Sequence, residues 1–441
     1  MTEIRALLLS AVLIVIVPAI CGQDANRANY DEAKVGSYTL PDPLVMTNGT
    51  PVKSRRQWPA RRAEILNLFA TEVYGRTPSN AVPQRKSLDF EIVSDEARAL
   101  DGMARRQEIR IQLTADASGP VLRVLLYLPN RPVNGQNRQP IFLGLNFNGN
   151  QAVTTEPAVA ISSAWMRNSS DGRINGHRAT EQARGIEASR WPLRKIIAAG
   201  YGVATAYYGD IFPDHQDGWK DSVIPRYLRP GQTISGDDEW GAIGAWAWGM
   251  SRILDLLRTQ PGIDPERIIL HGHSRLGKAA LWAAAQDERF AMVVANNSGE
   301  GGAALARRNF GETVERLNTA FPHWFCRHFR QYSQRVETLP VDQHLLIALV
   351  APRPVYIASA AEDLWADPRG EFLSAKAAGP VYQLLGRSAL SSPEMPHIHQ
   401  PVMTTIGYHI RSGKHDVTDY DWDQFIKFAD LHLKRRARGK G

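Results

Sequence analysis

The sequence predicts an α/β protein, a three-layer αβα sandwich with a mainly parallel central sheet. Three observations carry that expectation. Short, nearly continuous apolar runs stand at 141–146, 202–207, 267–270, 292–295 and 355–358; runs of this kind suit strands buried on both faces. They alternate with segments of helical spacing at 191–199, 240–257, 279–286 and 422–435, which is the order of a parallel sheet with crossover helices. Finally, the run at 267–271 passes through Gly272-His273-Ser274-Arg275-Leu276-Gly277 into a helix, placing a serine on a tight strand-to-helix turn.

Taken in order, the chain opens with an apolar stretch, 6–20, behind Arg5. It is short for a membrane span and suits the core of a signal peptide, with Ala19, Cys21 and Gly22 offering small residues for cleavage. Residues 1–22 are therefore expected to be a signal peptide, and the mature protein to be secreted or periplasmic, with no membrane association after cleavage. A lipoprotein reading of Cys21 is poor, because Ile20 stands where a small residue is expected. Residues 23–55 are polar and read as an extended N-terminal arm. Residues 56–441 read as a single domain. It opens with a helix at 58–74 and strands at 90–93, 107–113 and 121–128, the last two as neighbours near a sheet edge. A polar, irregular stretch at 151–185 reads as a surface insertion.

Hydrophobic content of 43% and charged content of 22% exclude a disordered chain. The net charge of +7 is spread out, apart from the short tail Lys434-Arg435-Arg436-Ala437-Arg438, and gives no reason to expect nucleic-acid binding. The chain has two cysteines. If Cys21 leaves with the signal, Cys326 has no partner for a disulfide and no companion for a cysteine metal site.

A serine at the end of a strand and the start of a helix is the nucleophile elbow of the α/β-hydrolase fold. The helix N-terminus offers free N–H groups to a developing oxyanion. The usual elbow has glycine two residues after the serine; here that place holds Leu276, and Gly277 follows. The serine needs a base and the base an orienting acid, in the chain order Ser, acid, His. Run 355–358 leads into Glu362, Asp363 and Asp367, a carboxylate cluster at a strand's C-terminal end, where open α/β sheets carry their sites. His415, in Ser412-Gly413-Lys414-His415-Asp416, is the last histidine before the closing helix and the candidate base. His409 looks like strand interior. His397 and His399 read as a surface loop rather than a metal clip, and His432 as a solvated residue of the last helix. No metal and no cofactor are expected.

These residues resemble a known family. Gly272-His273-Ser274-Arg275-Leu276-Gly277-Lys278 is similar to the Gly-Cys-Ser-Arg-x-Gly-Lys signature of the glucuronoyl esterases, carbohydrate esterase family 15. The resemblance continues through Ser298-Gly299-Glu300-Gly301-Gly302, Ala351-Pro352-Arg353-Pro354, Glu362 to Pro368, and Gly413-Lys414-His415-Asp416, over roughly residues 120–435. It implies cleavage of the ester between 4-O-methyl-glucuronate on glucuronoxylan and an alcohol of lignin. It implies Ser274 as nucleophile, His415 as base, Arg275 at the oxyanion, Lys278 and Glu312 on hydroxyls of the uronate, and Trp365 at the sugar face. Two positions depart from the pattern. His273 replaces the commoner Cys, and Asn297 stands where many members place the triad acid. An amide cannot stabilise an imidazolium by charge, and such a swap cost about 10⁴ in rate in a serine protease. The acid is therefore expected from the later strand end: Asp363 first, then Glu362, with Glu300 third.

Other features agree independently of the resemblance. Arg275 sets a permanent cation beside the nucleophile. Lys278 lies one helical turn beyond Ser274, where a cation opposes the helix dipole and so calls for a functional reason. Trp365 offers a flat apolar face suited to a sugar ring or an aryl alcohol. Two alternatives accompany the uronate esterase: an acetyl-xylan or other carbohydrate esterase on the same fold, and an inactive carbohydrate-binding homologue. A monomer is expected.

Overall fold

The computed structural model describes residues 28–81, 89–114, 116, 118–131 and 137–433. The expected signal peptide, the first residues of the arm and the basic tail lie outside these. Ten strands form one sheet in the order β1-β2-β3-β7-β4-β8-β9-β10-β12-β11. They are β1 (Phe90–Arg98), β2 (Ala104–Gln112), β3 (Val121–Pro129), β4 (Gln139–Asn146), β7 (Gly202–Tyr207), β8 (Ile263–His273), β9 (Met292–Asn296), β10 (Val355–Ala360), β11 (Val402–Met403) and β12 (Ile406–Arg411). Strands β7, β4, β8, β9, β10 and β12 pair in parallel. The β1–β2–β3 meander joins one edge antiparallel, and β11 caps the other.

The central strands are buried throughout because their side chains feed two cores alternately. Ile141, Leu143, Ile268, Leu270 and Val293 enter one core; Phe142, Ile269, Met292 and Val294 enter the other. Helices α1 (Trp58–Glu72), α4 (Ala242–Leu257), α5 (Arg275–Gln286) and α7 (Gln343–Ala348) cover the first face. Helices α3 (Leu193–Ala198) and α10 (Asp419–Leu433) cover the second. The one-turn α2 (Ala99–Gly102) links β1 to β2, and α6 (Val314–Ala320), α8 (Pro368–Ala377) and α9 (Gly379–Leu384) complete the set. This is the three-layer α/β-hydrolase arrangement.

Differences from expectation have local causes. β1 runs to Arg98 through polar residues because it pairs with β2 at an exposed edge. α5 begins at Arg275 rather than 279, so its first turn carries the polar Arg275 and Lys278. The 151–185 insertion holds a small hairpin, β5 (Ile174–Asn175) with β6 (Arg178–Ala179). It is tied to the body where Tyr207 Oη donates to the Trp165 carbonyl at 2.8 Å. His432 is half-buried against Phe428, with ring centroids 4.3 Å apart, rather than solvated. No helix among the described residues is long and apolar enough to cross a membrane.

Candidate active site

Ser274 sits between β8 and α5 with φ 57° and ψ −131°, a conformation that strains any residue with a side chain. Its neighbours enforce it. A Cβ on Gly272 would lie 2.2 Å from the Leu276 carbonyl oxygen, so that position must be glycine. Gly277 packs against the Gly272 carbonyl and the Ser298 Cβ, while Leu276 is fully buried. Here the second glycine of the elbow does its work one place later, because the close approach falls at 277. The Ser274 N–H donates to the Asn296 carbonyl at 2.9 Å, which ties the turn to the end of β9. The Arg275 N–H, at the first position of α5, is one of the helix's free donors.

The structure brings together His415 and Asp363, the residues proposed as base and acid. His415, in the loop between β12 and α10, hydrogen-bonds through Nδ1 to Asp363 Oδ2 at 2.6 Å. Asp363 follows β10 and is 5% exposed, whereas Glu362 beside it is exposed. The same Asp363 oxygen accepts 2.7 Å from Asn297 Nδ2. Asn297, held at φ 45°, thus serves as a donor to the acid. Glu300 is buried elsewhere, with Lys278, Glu312 and Asp342 as its charged neighbours. The His415 imidazole lies 4.5 Å, centroid to centroid, from His273, the residue before Ser274. His273 in turn bonds Asn296 Oδ1 through Nδ1 at 2.9 Å. Burial pushes the His273 imidazole far below its usual range, so it stays neutral beside His415.

Arg275, the residue after Ser274, keeps about a quarter of its side chain exposed. Its guanidinium rests over Trp324, 4.8 Å from the ring centroid, and reaches Phe147 and Phe321 at 5.8 Å each. Nη1 donates to Asp214 Oδ2. Lys278 is buried and pairs with Glu312 Oε2 at 2.6 Å, and it also donates to the Glu300 carbonyl. The Glu312 N–H donates to the Trp365 carbonyl at 2.8 Å, so Lys278, Glu312 and Trp365 form one linked wall. Trp365 is half-buried, and Arg316 lies over its ring at 5.1 Å.

Sequence reasoning missed Asp214, His323, Trp324 and Glu371. Glu371 is fully buried; its Oε1 accepts from the N–H groups of Ser298 and Gly299, at 2.7 and 3.0 Å, and its Oε2 from Ser359 Oγ at 2.6 Å. Burial raises its carboxyl to about 8. Among the described residues no cluster of three or more His, Cys, Asp or Glu could hold a metal ion.

Fold and elbow define the class: this is an α/β-hydrolase. The sequence pattern described as "Glucuronyl esterase, fungi" matches residues 233–386. "Carbohydrate esterase MZ0003", from an unknown prokaryotic organism, is 47% identical over 409 residues, 92% of each chain. The 4-O-methyl-glucuronoyl methylesterase of Cerrena unicolor is 28% identical over 84% of this chain and 66% of that one. Among solved structures, a promiscuous family 15 carbohydrate esterase from a marine bacterial metagenome superposes with a TM-score of 0.85 at 47% identity, covering 92% of this chain and all of that one. The glucuronoyl esterase from Solibacter usitatus gives 0.85 at 45% identity, over 91% of this chain and all of that one. The chain belongs to carbohydrate esterase family 15, the glucuronoyl esterases.

Proposed function

We propose that this chain cleaves the ester between 4-O-methyl-glucuronate of glucuronoxylan and an alcohol of lignin, through an acyl-enzyme on Ser274. What carries the reading is the Asp363–His415 pair beside the strained Ser274 elbow. Ser274 Oγ attacks the uronate carbonyl carbon and gives its proton to His415 Nε2. Asp363, bonded to Nδ1, fixes the tautomer and stabilises the imidazolium. The carbonyl oxygen becomes an oxyanion, met by the Arg275 N–H and side chain. Collapse breaks the C–O bond to the alcohol, which leaves with the proton from His415. Water, deprotonated by His415, then attacks the acyl carbon, and the acid departs as Ser274 recovers its proton.

Lys278 and Glu312 hold hydroxyls of the uronate, and Trp365 lies at its face. The lysine–glutamate pair is buried and so pre-oriented, which lowers the cost of ordering it on binding. Export after removal of residues 1–22, action as a monomer, and one domain over 56–441 belong to the same proposal.

One observation favours a broader alternative: the relative at 47% identity is described as promiscuous. An acetyl esterase has no use for the Lys278–Glu312–Trp365 wall, so relative rates distinguish the readings. On the first, kcat/KM for benzyl and methyl glucuronates exceeds that for acetylated xylan by at least about 10²-fold, as loss of buried hydrogen-bond partners implies. Equal rates would favour the broader esterase. No turnover on either ester would point to the inactive homologue.

A further inference from the structure

Asp214 lies in the loop after β7, sixty residues before the elbow, and its carboxylate is almost fully buried. It collects four donors: Arg275 Nη1 and Tyr208 Oη on Oδ2, the latter at 3.0 Å, and on Oδ1 His323 Nε2 at 2.8 Å and Trp324 Nε1 at 2.7 Å. These partners hold the carboxylate far below its usual range despite burial.

A buried charge of this kind is costly and is seldom the best way to gain stability. Here it fixes a direction. The guanidinium is latched at Nη1, while Trp324, Phe147 and Phe321 surround it. Nε is buried without a partner, Nη2 makes no hydrogen bond among the described residues, and the side chain remains about a quarter exposed. One end of the cation is thus anchored, while Nε and Nη2 carry no hydrogen bond among the described residues.

We propose that Asp214 is a positioning residue for the ester hydrolysis, and that it acts by fixing the Arg275 guanidinium against the developing oxyanion. Its carboxylate does not touch the substrate. A pre-aimed donor stabilises the transition state without reorganising during the reaction, and the loss of its anchor should therefore appear in kcat rather than in KM. The proposal rests on the reading of Ser274 as nucleophile with Arg275 at its oxyanion.

The test uses benzyl glucuronate with Arg275→Ala, Asp214→Ala, Asp214→Asn and the double variant Arg275→Ala/Asp214→Ala. Asp214→Ala should lower kcat by about 10²-fold, the scale of one oxyanion donor, with KM changed less than about threefold. The double variant should be no slower than Arg275→Ala alone, because both substitutions remove one device. Guanidinium at low millimolar concentration should partly restore Arg275→Ala but not the double variant, since only the former keeps the carboxylate that binds it. A purely packing role for Asp214 would not move that rescue. Where Asp214→Ala does not fold, the near-isosteric Asp214→Asn takes its place in each comparison. Wild-type kcat in Arg275→Ala would remove the oxyanion role itself. Loss in Arg275→Ala with full kcat in Asp214→Asn, or equal rescue of both variants, would overturn the anchor alone.

Discussion

Two neighbouring carboxylates at the end of β10 meet opposite fates. Glu362 uses its N–H to reach the Gly413 carbonyl at 3.0 Å and leaves its side chain in solvent. Asp363 turns inward and takes hydrogen bonds from His415 and Asn297 on one oxygen. Asp363→Asn should therefore lower kcat by about 10³–10⁴-fold, since an amide can hold the imidazole in the wrong tautomer and cannot balance its charge. Glu362→Gln should stay within about twofold of wild type. Steady-state kinetics on benzyl glucuronate check both, and comparable losses would reject the assignment. The carboxylate cluster after a buried strand is legible in the sequence. Which carboxylate faces His415 follows from the backbone turn after Ala360, where Asp363 N–H returns to the Ala360 carbonyl. Glu312 and Asp214 gave no such signal. Each is a carboxylate in an irregular segment, held in place by a partner thirty-four or sixty-one residues away.

At the level of one element, β8 leads into Ser274 and carries an unusual burden along its length. His271 points into the core beneath α10, with Trp422, Trp191 and Phe425 rings 4.8, 5.5 and 5.5 Å from its own. It is buried with neither ring nitrogen hydrogen-bonded. Burial lowers its pKa from 6.5 to about 4. The folded state thus favours the neutral ring. Between pH 6.5 and about 4 the unfolded chain takes up a proton that the folded chain refuses, so stability falls as pH falls through that window and levels off below it. The full loss is about 3 kcal/mol. His271→Phe should abolish this part of the pH dependence, and should stabilise modestly at neutral pH by removing an unpaired polar group. Urea unfolding at pH 7.5 and pH 4.5 measures it; an unchanged difference between the two pH values would contradict the burial argument. Strands such as β7 are the easiest elements to read, because two-sided burial leaves a continuous apolar run; the start of β8 is hidden because Asp264, Pro265 and Glu266 interrupt that run. The apolar pattern places the start of α5 four residues late, because the polar Arg275 and Lys278 in its first turn break that signature.

Across the whole molecule, the parallel sheet brings the ends of β8, β9, β10 and β12 to one edge. Ser274, Asn297, Asp363 and His415 all follow those ends. The mainly parallel sheet and the αβα layers are legible from the alternation of apolar runs and helical segments; the order of the strands within the sheet comes from the structure. The segments at 208–241 and 297–342 are not legible, because turns, 3₁₀ helices and the seven-residue α6 are too short to give a detectable period. Those are the segments that supply Asp214, Glu312, His323 and Trp324 to the site. The fold thus follows from the pattern, while much of the pocket follows from contacts that only the folded chain creates.

If Ser274 is the nucleophile, the uronate acylates it during turnover. Acid quenching of the enzyme while it hydrolyses benzyl glucuronate, followed by mass mapping of its peptides, captures that intermediate. A glucuronoyl adduct should appear on the peptide that contains Ser274 and be absent from Ser274→Ala, together with loss of hydrolysis in that variant. An adduct on another residue, or undiminished hydrolysis by Ser274→Ala, would contradict it.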